Sequence, residues 1–454
     1  MKYDIIILGS GPGGYAAAIR AAKAGKTVAI VERDDAGGTC VNWGCIPTKA
    51  LLKSAQAYHY CTHAADYGIE VSGSIEPDMA KIIARSRTVA ETMNKGVQLL
   101  LKKHNVEFVK GFGCICGVGR VDVNGTEYEA DNIVIATGAR PREMPFLPID
   151  HEHILSSKDA LALDRLPESI VVVGSGAIGC EFAQLYALLG VKVTIVEYMP
   201  QLMPLEDEEV AKAMERSFRK QRIGVMTSTT VKAVRVVGDV CEVDVEGKKG
   251  AETLIAERVL SAVGIKSNIE NIGLEALGIE VERDKIVVDD HFQTSVAGIY
   301  AIGDVIATPA LAHVASAEAA CCIDHICGRN PEPIDYSSIP SCIFTSPEVA
   351  SVGLTEKQAA DRGIAYTVGR YQFAASGKAM SAGERDGFVK LLFDERQRLI
   401  GAHLVGANVA EILGEPTLAK MLGATARDIA HAIHSHPTMN EGVMEAACEV
   451  VFAE

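Results

Sequence analysis

A chain of 454 residues, 48% of them hydrophobic, carries apolar material for roughly three domains of ordinary size, and this excludes disorder as its working state. Its net charge of −15 argues against nucleic acid or an anionic membrane surface as partner. No apolar run reaches the ~18–20 residues of a membrane span, and twelve cysteines in so long a chain are not the dense framework of a small secreted domain.

Met1-Lys2-Tyr3-Asp4 leads straight into a strand with no signal or Arg-rich transit segment ahead of it, so a cytoplasmic location is expected. Tyr3 to Leu8 is a short apolar run suited to a buried parallel strand. The glycine loop Gly9-Ser10-Gly11-Pro12-Gly13-Gly14 follows, then an Ala-rich helix to about Ala24. A second strand, Lys26 to Val31, ends at Glu32. Gly9, Gly11 and Gly14 form G-x-G-x-x-G, the pattern that lets a backbone approach a pyrophosphate at a helix N-terminus. The acid at the second strand end is placed to accept from a ribose.

Eight residues past Glu32 stands Cys40, with Cys45 five further on, in Gly37-Gly38-Thr39-Cys40-Val41-Asn42-Trp43-Gly44-Cys45-Ile46-Pro47-Thr48-Lys49. Two thiols so spaced close a disulfide loop only if the turn brings their Cα atoms within ~4.4–6.8 Å; otherwise they are inert thiols. Pro47 is expected to open a helix, with Cys45 at its N-terminus, where the dipole favours a thiolate. Lys49 lies one helical turn beyond Cys45 and offers a cation to a thiolate or to another developing negative charge. The other cysteines, Cys61, Cys180, Cys241, Cys327 and Cys342 among them, are expected to be buried thiols. The pairs Cys114/Cys116 and Cys321/Cys322 lack zinc-site spacing. An amphipathic helix is expected from about Asp78 to Lys103.

The glycine design then returns. Ser169 to Val173 is a strand, Gly174-Ser175-Gly176-Ala177-Ile178-Gly179 the loop, and Val191 to Val196 a strand ending at Glu197. The distance from first glycine to acid is 23 residues in both units (Gly9 to Glu32, Gly174 to Glu197). One such loop is weak evidence; two at equal spacing, each between strand and helix, point to two dinucleotide sites. Glu197 is followed by Tyr198-Met199-Pro200 and no arginine, which favours a free 2′-hydroxyl over a 2′-phosphate, and so NAD over NADP. Near the end, His434-Ser435-His436-Pro437-Thr438-Met439-Asn440-Glu441 offers a base, His436, at an expected helix entry after Pro437. Glu441 is spaced to orient its ring. His434-x-His436 alone lacks the third and fourth ligands a metal needs, so no metal is expected.

Two Rossmann units, a C-x4-C pair after the first and the His436/Glu441 segment together resemble the FAD-dependent pyridine nucleotide-disulfide oxidoreductases, over essentially the whole chain. The resemblance implies an α/β fold of two Rossmann-like domains and an α+β dimerisation domain. The FAD domain would be split between 1–140 and 269–336, the NAD domain would span 141–268, and the dimer interface domain 337–454. It implies FAD at Gly9, Gly11, Gly14, Glu32, Lys49, Gly113, Thr137, Gly138, Gly303, Asp304 and Ala312. It implies NAD at Gly174, Gly176, Ile178, Gly179, Glu197, Val231 and Gly264. Glu181 would pair with Lys49. Cys40 and Cys45 would form a redox-active disulfide. Cys40 would exchange with a dithiol substrate, Cys45 would pass electrons to FAD, and His436 of the other subunit of a homodimer, oriented by Glu441, would take the substrate proton.

The implied activity is oxidation of protein-bound dihydrolipoyl groups with reduction of NAD+, serving 2-oxo acid dehydrogenase complexes or the glycine cleavage system. The implied partner is the lipoyl domain of an acyltransferase or the glycine cleavage carrier protein. Mercuric or glutathione-type reductases and a non-catalytic flavin redox sensor are the alternatives. The sequence departs from the family at Trp43, inside the cysteine loop, where a smaller residue is usual, and at Ile265, where an arginine usually follows the glycine.

Overall fold

Ile5, Ile6, Ile7 and Leu8 are all at most 1% exposed, a burial that a strand attains only when both faces of its sheet are covered. A computed structural model describes residues 2–452 and divides the chain into two units. Met1, Ala453 and Glu454, the ends of the first and last expected segments, lie outside the described residues.

The first unit comprises Met1–Leu51, Ala80–Arg142 and Gly264–Ile334. Strand β1 (Lys2–Leu8) runs into helix α1 (Pro12–Lys23) and strand β2 (Val28–Glu32). Two helices follow, the short α2 (Gly38–Trp43) and the longer α3 (Cys45–Thr62), which begins in this unit. Helix α4 (Met79–Lys103) precedes β3 (Glu107–Lys110), β4 (Gly113–Gly117), β5 (Arg120–Val123) and β6 (Thr126–Ile135). The sheet order is β3-β2-β1-β6-β5-β4, and strand Ile299–Ala301 also pairs with β6. Its parallel part, β3-β2-β1-β6 with 299–301, places the β1–α1 turn where neighbouring connections leave in opposite directions, the crevice where such sheets bind ligands. Helix Ala312–Ile326 packs along α1, and Arg20 of α1 pairs with its Asp324.

Helix α4 braces the cysteine segment from behind. Ser86 Oγ donates to the Pro47 carbonyl at 3.1 Å, Arg85 Nη1 to the Ala50 carbonyl at 2.8 Å and Asn94 Nδ2 to the Ala36 carbonyl at 2.7 Å. The amphipathic helix expected over 78–103 is this element.

The second unit comprises Leu52–Met79, Glu143–Val263 and Asp335–Glu454. A parallel sheet runs in the order 224–226, 192–196, 169–173, 258–261, 154–155, with helix Ala177–Leu188 following its central strand. An antiparallel ribbon of three strands covers 230–256. The C-terminal segment builds an antiparallel sheet of five strands in the order 341–343, 348–353, 399–406, 388–394, 366–372. Helix Glu441–Val451 lies on this sheet so closely that a Cβ at Gly369 would stand 1.9 Å from the Ala446 carbonyl oxygen.

A charged cluster is buried in this unit. Lys390, fully enclosed, reaches Asp207 at 2.6 Å, Glu356 at 2.7 Å and Glu209 at 3.2 Å. The three carboxylates are close enough to hold a metal ion, but the ammonium of Lys390 already sits among them. Beside them burial pushes the Glu206 carboxyl up to about 7, with the Asp207 charge acting the same way and a Ser351 hydrogen bond opposing. Glu206 Oε2 has no hydrogen-bond partner among the described residues. His403, 1% exposed, is held neutral chiefly by burial and bonds the Leu354 carbonyl through Nε2 at 2.9 Å.

Among the thiols expected to be buried, Cys180 and Cys241 are, Cys327 and Cys342 are half-covered, and Cys61 is exposed. Cys61 falls in the last turn of α3, beyond the buried stripe of Leu51, Leu52 and Ala55, on the face that turns to solvent.

Candidate active site

The two glycine loops are built alike. A Cβ at Gly9 would lie 2.3 Å from the Ala136 carbonyl oxygen, and one at Gly174 would lie 2.4 Å from that of Ala262. Gly14 and Gly179 face the first glycine of their own loop, where a Cβ would stand 1.9 Å and 2.0 Å from its carbonyl oxygen. These four are glycines because the chain crowds them. Gly11 and Gly176 differ, since a Cβ there would meet nothing within 4 Å. The bare surface they leave at a helix N-terminus is the cradle a diphosphate needs.

Each loop is latched by its acid. Glu32 Oε2 accepts from Ser10 N at 2.8 Å and Ser10 Oγ at 2.7 Å, and Oε1 from Asp34 N at 2.7 Å. Glu197 Oε2 accepts from Ser175 N and Oγ, both at 2.7 Å, and Oε1 from Met199 N at 2.7 Å. A carboxylate has about four acceptor positions. Three are taken in each case, leaving one on Oε1 for a ribose hydroxyl.

The remaining first-unit positions gather around the ends of the parallel strands. Gly113 in β4 packs where a Cβ would strike Leu8 Cδ2 at 2.8 Å. Thr137 Oγ1 donates to the Asn268 carbonyl at 2.6 Å, and Asn268 N donates to the Gly138 carbonyl at 2.9 Å, which ties the exit of β6 to the returning chain. Gly303 N donates to the buried Glu318 carboxylate at 2.6 Å. The backbone carbonyl of Asp304 is held by Lys285 Nζ at 2.6 Å and Ser267 Oγ at 2.8 Å. Its half-buried carboxylate meets no donor among the described residues, and burial raises its pKa, with the Lys285 charge opposing. Ala312 opens helix Ala312–Ile326. That helix start meets the start of α1, where Ser316 Oγ donates to the Pro12 carbonyl at 3.4 Å. Two helix N-termini, an open Gly11 and a carboxylate with no protein donor suit the diphosphate and hydroxyl chain of FAD.

In the second unit Ile178 stands exposed in the first turn after the loop. Val231 is 5% exposed and packs in the core with Val173 and Val196, so only its backbone can meet a ligand. Gly264, assigned to the first unit, has φ +110° and open space at its Cβ position, and its carbonyl accepts from Arg142 N at 3.0 Å. Arg142 Nη2 also donates to the Ile265 carbonyl at 2.8 Å, so a guanidinium does lie beside the position where the sequence lacks one. Glu181, 3% exposed, accepts from Phe344 N at 3.0 Å.

Cys40 lies in α2 and Cys45 is the first residue of α3. The helix therefore opens two residues earlier than expected. Thr48 N donates to the Gly44 carbonyl at 3.1 Å, and Pro47 sits in the first turn, where a missing N–H leaves no bond unmade. The two sulfurs are thiols hydrogen-bonded to one another, with Cys45 exposed and Cys40 partly covered. That bond and burial push the Cys40 thiol well up, against the pull of the Lys49 ammonium. Cys45 stands at the N-terminus of an 18-residue helix, where the dipole favours a thiolate. Asn42 holds the loop through Nδ2, donating to the Ala36 and Gly38 carbonyls at 2.9 Å each.

His436 Nδ1 bonds Glu441 Oε1 at 2.8 Å, and Glu441 Oε2 accepts from Thr438 N at 2.7 Å. These two bonds hold the Glu441 carboxyl below its ordinary range. The His436 side chain is 78% exposed, its free edge open to an incoming group. The helix expected at Pro437 begins only at Glu441, because side chains claim the loop before it: Thr438 N goes to Glu441 and Thr438 Oγ1 to the Ser435 carbonyl.

Sequence reasoning missed Glu415. It accepts from His434 Nε2 at 2.9 Å and from Asn440 Nδ2 at 2.5 Å, pinning both ends of the loop that carries His436. His434 Nδ1 faces the Ala432 carbonyl at 2.9 Å, so both ring nitrogens meet oxygen partners. The repeat His434-x-His436 was the visible signal, and His434 braces the loop beside the exposed ring of His436.

Residues 3–319 match the sequence profile of the pyridine nucleotide-disulphide oxidoreductases, and residues 339–447 match the dimerisation domain of that family. The chain is 43% identical to the dihydrolipoyl dehydrogenase of Rhizobium etli, covering 99% of this chain and 98% of that protein. It is 46% identical to that of Chlorobaculum parvum, covering 98% and 96%. Among solved structures it resembles LpdA from Mycobacterium tuberculosis with a TM-score of 0.92, at 28% identity over 99% of both chains. It also resembles the HOCl-induced flavoprotein disulfide reductase RclA from Escherichia coli, in a Cu(II) complex, with a TM-score of 0.89 at 26% identity, covering 99% of this chain and 100% of that one. Paired nucleotide cradles, a dithiol at a helix start and a profile match along nearly the whole length lead to one conclusion: the chain belongs to the pyridine nucleotide-disulphide oxidoreductase family.

Proposed function

We propose that the chain oxidises dihydrolipoyl groups carried on a partner protein and passes the two electrons to NAD+. The observation that carries this reading is the hydrogen-bonded pair Cys40/Cys45 at a helix start, in a chain with two latched dinucleotide cradles. The near full-length likeness to proteins named dihydrolipoyl dehydrogenase supports the choice of substrate.

His436, its ring oriented by Glu441, takes a proton from one substrate thiol. The thiolate attacks Cys40 of the Cys40–Cys45 disulfide, forming a mixed disulfide and releasing Cys45 as thiolate. The second substrate thiol then attacks the substrate sulfur of that bond, giving the cyclic lipoyl disulfide and returning Cys40 as a thiol. Two electrons and one proton thus reside on the cysteine pair, and the other proton on His436. FAD, held by Gly9, Gly11, Gly14, Glu32, Gly113, Thr137, Gly138, Gly303, Asp304 and Ala312, supplies two-electron transfer between dithiol and nicotinamide. Lys49 offers charge to the anionic side of that transfer. NAD is taken by Gly174, Gly176, Ile178, Gly179, Val231 and Gly264, with Glu197 reading the 2′-hydroxyl.

We further propose the three-domain division of 1–140 with 269–336, 141–268 and 337–454. The C-terminal domain would join two copies so that His436 of one serves the dithiol of the other. The partners are lipoyl-bearing proteins, and the location is cytoplasmic.

The test is NADH formation from dihydrolipoamide by the purified flavoprotein and its Cys45→Ser variant. Turnover by the parent, lost in the variant with FAD retained, is expected. Turnover of glutathione disulfide or mercuric ion with none of dihydrolipoamide, or an active Cys45→Ser protein, overturns the assignment.

A further inference from the structure

Helix α4 presents an arginine to the cysteine loop that no bond accounts for. The Arg87 guanidinium carbon lies 4.2 Å from the ring centroid of Trp43, the chain's single tryptophan. Arg87 Nε and Nη2 are out of solvent and meet no acceptor, and no carboxylate lies within ion-pair distance among the described residues. Arg87 is half-buried, and this partial burial lowers its pKa, yet a guanidinium stays charged. Buried polar groups in native proteins are almost always paired, and an apolar residue at such a site is often neutral or stabilising. The stack with Trp43 recovers only part of the desolvation cost.

The position of Trp43 supplies the reason. It lies three residues after Cys40 in α2 and so shares its helix face. We propose that Arg87, seated on the face of Trp43, is a positioning residue whose uncompensated charge biases the Cys40/Cys45 couple toward its reduced, anionic form. The couple takes up two electrons and one proton, converting a disulfide to one thiol and one thiolate. Its net charge falls by one unit, which a nearby cation favours. The electrons come from the dithiol substrate, so the proposal rests on the function proposed above. One helical neighbour spacing of ~5–6 Å plus the stack puts the cation on the order of 10 Å from Cys40. At an effective dielectric of about 20, a unit charge there shifts the equilibrium about tenfold.

The experiment equilibrates the holoprotein with oxidised and reduced dithiothreitol at pH 7.5, traps thiols and quantifies the Cys40/Cys45 disulfide by mass spectrometry. Arg87→Met is expected to move the balance about tenfold toward the disulfide, equivalent to about 30 mV, without lowering the melting temperature. Arg87→Lys is expected within about twofold of the parent. Trp43→Phe, with a poorer face for the cation, is expected to shift part-way in the Arg87→Met direction, and it decides the matter if Arg87→Met does not fold. The proposal is overturned if Arg87→Met stays within twofold of the parent, if Met and Lys shift alike, or if Trp43→Phe does not shift. The titration uses no lipoyl substrate, so failure of the dihydrolipoamide assay leaves its outcome readable.

Discussion

Glu206 makes the stability of the second unit depend on pH in the sense opposite to most carboxylates. Burial pushes its carboxyl up to about 7, while an unfolded glutamate titrates near ~4.3. Between those values the folded chain holds a proton that the unfolded chain has released, so stability falls as pH rises. The benefit of the protonated form is complete below the unfolded value and gone above pH 7. At about 1.4 kcal/mol per unit, the full swing is about 4 kcal/mol.

Glu206→Gln removes the titration and keeps the shape. Any fixed cost of the amide cancels when the variant and parent are compared at two pH values. Between pH 5.5 and 8.5 the gap between them is expected to move by about 2 kcal/mol in the variant's favour, roughly 3–4 °C in Tm for a cooperative unit of this size. Thermal melts of the FAD-loaded proteins at both pH values supply the measurement. A gap that is equal at the two pH values, or that favours the variant more in acid, would refute a buried, protonated Glu206.

The glycine loops separate folding from ligand contact. Gly9→Ala should fail to fold, because its Cβ has no room, whereas Gly11→Ala should fold and purify with little FAD; absorbance at the flavin band and circular dichroism check both. His436→Gln should slow dihydrolipoamide oxidation by ~10²–10⁴-fold, the usual size of acid–base catalysis, with FAD content unchanged, as steady-state assays can establish. Glu415→Ala frees both ends of the same loop. It should lower the rate at every pH and broaden the acid limb of the rate profile, while Glu415→Gln should restore part of the rate. Glu197→Ala should narrow the preference for NAD over NADP, measured as a ratio of kcat/KM values; an unchanged ratio would place the reading of the ribose elsewhere.

The parts of the site legible in the sequence were those set by backbone geometry. Gly9, Gly14, Gly174 and Gly179 are demanded by carbonyl oxygens at about 2 Å from a hypothetical Cβ, and such demands leave a fixed spacing. The Cys40/Cys45 pair, the α4 helix and the His436/Glu441 bond were likewise legible, because each depends on neighbours close along the chain. Contacts between distant segments were not. Glu415 reaches Asn440 across 25 residues, and Arg87 reaches Trp43 across 44. Apart from the repeat His434-x-His436, no local pattern announces either partner. The start of the last helix was misplaced for a related reason: Pro437 signals an opening, but side chains, which propensity does not count, hold the loop until Glu441.

The latch formed by Glu197 and Ser175 carries a consequence for anyone who would retarget the nucleotide preference. The carboxylate proposed to read the sugar is also the clasp that keeps the turn shut, so on that reading discrimination and loop rigidity cannot be edited one at a time. A redesign that swaps the acid for a neutral or basic group must first supply Ser175 and Met199 with another acceptor, or it will trade selectivity for a slack binding floor.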